Sequence, residues 1–308
     1  MKFLNIIFII LFISCNNSVK NNENMDPYII ILGIAQDAGY PQAGCTKSCC
    51  KETWENPIKR RMISCIAIVD PASKEQWIID ATPDIKFQLN KLYQQSKINH
   101  LDGVFITHAH IGHYTGIINF GKEVIGSNNL PVYVMSRMKD FLKNNAPWDQ
   151  LINIENIKLM DLDNNSQLNI NDRIQVTPFL VPHRDEYSET VGYRINTQNK
   201  SCVFIPDIDK WHLWDVSIKD LIKEVDYALL DATFYQNGEL GRDMSKIPHP
   251  FVKESMDLFE DLSSNNKRKV HFIHLNHTNP LLIKDSDEQK EVREKGFNIA
   301  EEGQILTL

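Results

Sequence analysis

The sequence lacks an excess of positive charge: 33 Lys and Arg stand against 40 Asp and Glu, a formal net charge of −7. Nucleic-acid surfaces need concentrated Lys and Arg to neutralise phosphates, so the balance argues against a nucleic-acid partner. It leaves room for a small anionic substrate held through a metal. No apolar run is long enough for a mature membrane-spanning helix, which takes roughly 20 residues. Cysteine is too sparse, and too odd in number, for a disulfide framework: with Cys15 set aside, Cys45, Cys49, Cys50, Cys65 and Cys202 remain. Internal repeats are absent. What is present is an ordinary globular composition, 42% hydrophobic and 24% charged over 308 residues, enough to bury a core without covalent staples.

The first residues read as an export signal. Lys2 gives a positive start, Phe3 to Ile13 is almost wholly apolar, and the run ends at Ile13-Ser14-Cys15. A small residue followed by Cys at that place resembles a bacterial lipoprotein cleavage site, with Cys15 the lipidated N-terminus. A plain secretory signal or a buried strand are the alternatives. Residues 16–27 are polar and Asn-rich and read as a flexible tether between lipid and fold. The expected location is exported and membrane-anchored, on the periplasmic or cell-surface face, with the membrane touched through the lipid alone.

From residue 28 to 308 short β-branched runs alternate irregularly with helical patterns, which predicts a layered α/β domain. Pro83–Gln95 puts Ile85, Leu89 and Leu92 on one helical face, with Pro83 and Asp84 suited to a first turn. Gly116–Val124, Ser136–Leu142, Phe251–Leu262 and Ser286–Glu294 are further helical candidates. Cys65 and Cys202 sit inside strand-like runs and read as core. Asp80, His108, His183, Asp207 and His274 each close a strand-like run, where α/β folds place their sites.

The segment Gly103-Val-Phe-Ile-Thr-His108-Ala-His110-Ile-Gly-His113 carries the strongest signal. His108 and His110, two apart on an extended loop, face one way, and His113 reaches the same small volume from the other side. Neutral imidazole is a good ligand for zinc or iron. A buried strand running straight into three histidines predicts a metal centre; surface or core histidines are the bland alternative.

This pattern resembles the metallo-β-lactamase superfamily, whose signature is His-x-His-x-Asp-His after a strand. The resemblance covers approximately residues 28 to 308 and implies a four-layer αββα sandwich with the site at one edge of both sheets. It implies His108, His110 and His183 around a first metal, His113, Asp207 and His274 around a second, Asp207 as the bridge, and Asp80 as support. Catalytic roles accordingly fall to Asp207, His113 and Asp80. Gly112 departs from the signature, standing where the family has Asp. The three-histidine position with an open fourth place is complete; the second is expected to be weaker or altered, with Asp185 or a water filling the gap. Zinc, one or two ions, is the expected metal, and iron is an alternative.

Cys45-Thr-Lys-Ser-Cys49-Cys50 lies in a Gly-rich, turn-prone segment and reads as a loop. Its three thiols offer three corners of a structural zinc site, and His277 of His274-Leu-Asn-His277 offers the fourth. Free thiols or a disulfide are the alternatives. The phosphoribosyl cyclic phosphodiesterase branch of the superfamily carries such a site, with a different Cys spacing.

Gly39-Tyr-Pro-Gln42, Val181-Pro-His-Arg-Asp-Glu-Tyr-Ser188, Gly238-Glu-Leu, Pro248-His249-Pro250 and Phe272-Ile-His-Leu-Asn-His-Thr-Asn-Pro280 resemble the pyrroloquinoline quinone biosynthesis B-protein branch. His277 departs from that branch. Arg184, Tyr187 and His249 are candidate substrate contacts. The expected activity is hydrolysis of a small ester or phosphodiester; the alternatives are iron-dependent oxidation of a quinone-cofactor precursor and metal binding without turnover.

Overall fold

The structure, a computed structural model, describes residues 25–308; Cys15, the apolar leader and most of the tether lie outside the described residues. Two seven-stranded sheets face each other. The first contains β1 (Tyr28–Gly33), β2 (Cys65–Asp70), β3 (Glu75–Ile79), β4 (Gly103–Phe105), β5 (Leu130–Val134) and β6 (Ile157–Asp161). The second contains β7 (Leu168–Asn169), β8 (Gln175–Leu180), β9 (Val191–Asn196), β10 (Ser201–Ile205), β11 (Tyr227–Asp231), β12 (Val270–Ile273) and β13 (Asn298–Ile299). The last strand, β14 (Ile305–Thr307), returns to the first sheet and pairs antiparallel with β1.

Strand periodicity explains the layering. In β1, Ile29 and Ile31 enter the core between the sheets, while Ile30 and Leu32 join a second core on the outer face. That outer core is closed by the helices Ile85–Ser96, Ser136–Asn144 and Trp148–Asn153. The helices Ile218–Glu224, Val252–Leu258 and Asp287–Glu294 cover the second sheet. With both faces covered, the central strands read as unbroken apolar runs, as β2 does with every residue buried. This is the expected αββα sandwich.

Several boundaries differ from expectation. The predicted helix over 116–124 is a 3-10 turn, Thr115–Phe120, because Gly116 presses against the backbone of Ala81 and Thr82 and has no room for a Cβ. Cys49 and Cys50 open a helix, Ser48–Glu55, rather than continuing a loop. Asp84 precedes the helix Ile85–Ser96 without capping it; its carboxylate accepts from Ile63 N at 3.0 Å and ties the helix start to the approach to β2. β6 and β9 were not legible as apolar runs, since Lys158 faces solvent in one and Gly192 and Arg194 interrupt the other. Among the described residues, no helix is long and apolar enough to cross a membrane.

Candidate metal centre

The loops that follow β1, β3, β4, β8, β10 and β12 meet at one edge of the sandwich, and each delivers an ionisable side chain. Asp207, two residues past β10, lies at the middle. Its Oδ1 is 3.3 Å from His183 Nε2, and its Oδ2 is 3.4 Å from His108 Nε2 and 3.9 Å from His110 Nδ1. The same Oδ2 is 3.9 Å from His113 Nε2 and from His274 Nε2. One carboxylate therefore faces two donor sets, His108/His110/His183 and His113/His274.

A further carboxylate completes the second set. Asp37, in the loop after β1, places Oδ1 3.0 Å from His113 Nε2 and 3.4 Å from His274 Nε2. Asp37, His113, Asp207 and His274 hold their ligand atoms within 4.8 Å of one another, as do His108, His110, His183 and Asp207. Asp185, expected as a possible replacement, points elsewhere: it is largely exposed and pairs with Arg137 at 3.1 Å.

Most of the imidazoles are oriented by a partner on the nitrogen that faces away from the centre. Thr107 Oγ1, which donates to Asp80, stands 3.0 Å from His108 Nδ1. Asp80 Oδ2 is 2.7 Å from His113 Nδ1, and Asp209 Oδ1 is 3.0 Å from His183 Nδ1. Thr233 Oγ1 donates to Asp231 and stands 2.9 Å from His274 Nδ1. Glu186 is a looser partner for His110 Nε2, at 3.4 Å. Such partners fix the tautomer and leave the inward nitrogen free to ligate. Asp80 and His274 both hold positive φ, 70° and 67°, a conformation costly for residues with a Cβ.

The donor set fits a metal. His183 Nε2 and Asp207 Oδ1 are buried without a hydrogen-bond partner, an expensive arrangement unless something charged lies between them. Protonation shows the same stress. Burial disfavours charge on His183, yet the Asp207 carboxylate beside it and the bond to Asp209 push it up to about 9. Burial and the neighbouring His113 hold His108 well below the ordinary histidine range. Asp207, against its own burial, is held well below the usual carboxylate range by the surrounding histidines.

His249 lies on the same cluster. Its Nδ1 is 2.8 Å from Asp231 Oδ2 and 3.1 Å from Asp207 Oδ1. Burial opposes its charge, but these two carboxylates outweigh burial and raise it well above the ordinary range. Among the described residues, Nε2 of this ring has no hydrogen-bond partner. The other candidate substrate contacts sit further out: Arg184 is exposed and 3.7 Å from Glu186, and Tyr187 is exposed with its ring 5.5 Å from that of Phe141.

A separate cluster lies beside this edge. Cys45, Cys49, Cys50 and His277 keep their ligand atoms within 4.8 Å of one another, and the Cys45 and Cys49 sulfurs are 3.8 Å apart. A tetrahedron built on Zn–S bonds of about 2.3 Å has edges of about 3.8 Å, so the spacing suits a closed structural zinc. Asn276 Oδ1 accepts from His277 Nδ1 at 2.7 Å, leaving Nε2 as the ligand atom. Burial drives the Cys50 thiol up to about 12, which a metal would reverse. Cys65 and Cys202 are fully buried in the cores.

Two packed sheets with a His- and Asp-lined centre at one edge define a metallo-hydrolase fold. The chain belongs to the β-lactamase superfamily: residues 76–275 match the β-lactamase superfamily domain. In sequence it is similar to coenzyme PQQ synthesis protein B. It is 24% identical to that of Methylorubrum extorquens (strain PA1) over 91% of this chain and all of the other. It is 25% identical to that of Xanthomonas campestris pv. campestris (strain B100) over 91% and 99%. In structure it is similar to Zn(2+)-bound PqqB from Methylobacterium extorquens, with a TM-score of 0.75, 23% identity, and 91% and 100% of the two chains covered. A diphosphatase from the PhnP family shares the fold with a TM-score of 0.64, 19% identity and coverage of 92% and 98%.

Proposed function

We propose that this chain is a metal-dependent hydrolase acting on a small ester or phosphodiester. The observation that carries the reading is His249: a buried, carboxylate-paired imidazole with a free Nε2, beside a set of metal-ligating side chains. A metal held by His108 Nε2, His110 Nδ1 and His183 Nε2 would supply Lewis acidity and bring the pKa of a water in its shell to about 7. Asp207 stays ionised and orients the attacking water. His249 keeps its proton and delivers it from Nε2 to the leaving oxygen as the ester bond breaks, the role of a general acid. Asp231 holds that ring in place and stabilises its charged form.

The net charge of −7 supports the absence of a nucleic-acid partner.

Turnover of phosphodiester, ester and lactone panels by the zinc-loaded protein, abolished in His108→Ala, is the expected result. Zinc bound at the centre with no turnover would leave a metal-binding protein. A second reading, iron-dependent oxidation of a quinone-cofactor precursor, draws on the similarity to coenzyme PQQ synthesis protein B. Iron in the purified protein, with oxygen consumed on turnover, would favour it. The lipid anchor at Cys15 belongs to the proposal too; loss of membrane association in Cys15→Ser is the expected outcome.

A further inference from the structure

Gly112 stands inside the histidine signature, between His110 and His113, where the superfamily's pattern has a carboxylate. The space a side chain needs is taken. A Cβ built on Gly112 meets Asp37 Cα at 2.4 Å and Asp37 Oδ1 at 2.6 Å, closer than real Cβ contacts come. The atoms that exclude a side chain at 112 belong to the residue whose carboxylate comes closest to both inward nitrogens, 3.0 Å from His113 Nε2 and 3.4 Å from His274 Nε2. Neither imidazole needs Asp37 for its outer nitrogen, since Asp80 serves His113 Nδ1 and Thr233 serves His274 Nδ1. Asp37 faces the two inward nitrogens, with Asp207 Oδ2 completing the group.

The backbone fixes this placement. Gln36 N donates to Leu275 O at 2.9 Å, Leu275 N donates to Ile34 O at 2.7 Å, and Ala35 bridges both Leu275 and Ile63. Asp37 is thus registered against the residue that follows His274. Gly39, at φ +70°, turns the loop away just beyond it.

We propose that Asp37 is the carboxylate ligand of the second metal position, and that Gly112 is the space which admits it. The signature's ligand has moved to another loop. The position is a complete two-histidine, two-carboxylate site suited to zinc, and the pattern's missing residue does not make this a one-metal centre. The inference rests on the reading that the centre binds metal, but not on the reaction being hydrolytic.

Zinc titration of the full chain, read by calorimetry and elemental analysis, tests it. The unaltered protein is expected to bind one equivalent more than Asp37→Asn, which keeps the volume of the side chain. In that variant second-position affinity falls at least about 100-fold, since even partners one step removed from a metal are worth 10–100-fold. Gly112→Asp alone is expected to lose the same equivalent through collision. Asp37→Gly combined with Gly112→Asp restores it. Unchanged stoichiometry and affinity in Asp37→Asn would overturn the proposal, whatever becomes of the other two variants. So would a single centre zinc in the unaltered protein, an outcome compatible with hydrolysis. Zinc bound as expected without turnover would instead sink the hydrolase reading and leave the ligand exchange standing.

Discussion

His108, His110 and His183 lie on one side of Asp207, and Asp37, His113 and His274 on the other, with donor atoms in each set within 4.8 Å of one another. The first group takes two of its members from a single loop and the third from the neighbouring sheet. The second draws on three loops, one near each end of the described chain and one between them. The first is therefore largely a local property of the strand β4 and its trailing loop. The second exists only because the segments that follow β1 and β12, strands of opposite sheets, are bridged through Ile34, Ala35, Gln36 and Leu275. Closely spaced ligands declare themselves in a sequence; that Asp37 joins His113 and His274 shows only in the closed fold.

Removing a member of the first group is expected to have the largest effect. His110→Ala should lower kcat/KM roughly 10³-fold, the several kcal/mol that metal polarisation supplies. A loss no larger than that of Asp37→Asn would erase the distinction between the groups. Next comes His249→Ala, expected to cost about 10²-fold on substrates with poor leaving groups, the lower end for a general acid, and almost nothing on a nitrophenyl ester. Equal losses on both would mean that His249 only shapes the site. Asp209→Ala and Thr233→Val should each weaken metal affinity about 10- to 100-fold, Asp209 in the first group and Thr233 in the second. Competition titrations that found each change spread over both equivalents would show the groups to be one coupled unit.

The most gradual effect, spread over two pH units, is that of pH. In the metal-free protein His183 is pushed up to about 9 from 6.5, because the Asp207 and Asp209 carboxylates on its two sides favour the charged ring and outweigh burial. Its folded value is raised, so the stability it contributes is full below pH 6.5 and is lost as pH rises through 9. A metal must displace that proton, so first-group affinity should climb about tenfold per pH unit from 7 to 9 and then level off. Thermal melts should accordingly show the metal-free protein weakening over the window in which the loaded protein gains. A flat affinity profile would mean His183 is already neutral at pH 7.

Of the metal-centre residues, His108, His183, Asp207 and His274 were legible because each closes an apolar, strand-like run, where such folds place polar groups; His110 and His113 were legible because they follow His108 within six residues, and the resemblance to the superfamily sorted all six into two positions. Asp37 was not legible. It sits in a Gly-rich turn, where Asp is common for backbone reasons alone, and the one trace it left was indirect: the empty place at Gly112. Asp209 holds His183 from two residues beyond Asp207, in a loop that carries no motif of its own. Asp231 ends β11, and an acid closing an otherwise apolar, largely buried strand is itself a signal. The layered fold was legible from strand runs alternating with helical patterns, whereas β6 and β9 carry their apolar residues interleaved with Lys158, Gly192 and Arg194 rather than as runs.

The join between Ile34 and Leu275 also makes the two positions unlike in reach. His108 and His110 stand on one loop, with His183 added from the second sheet. Asp37 and His274 stand near opposite ends of the described chain, so an ion held between them would clasp those ends together.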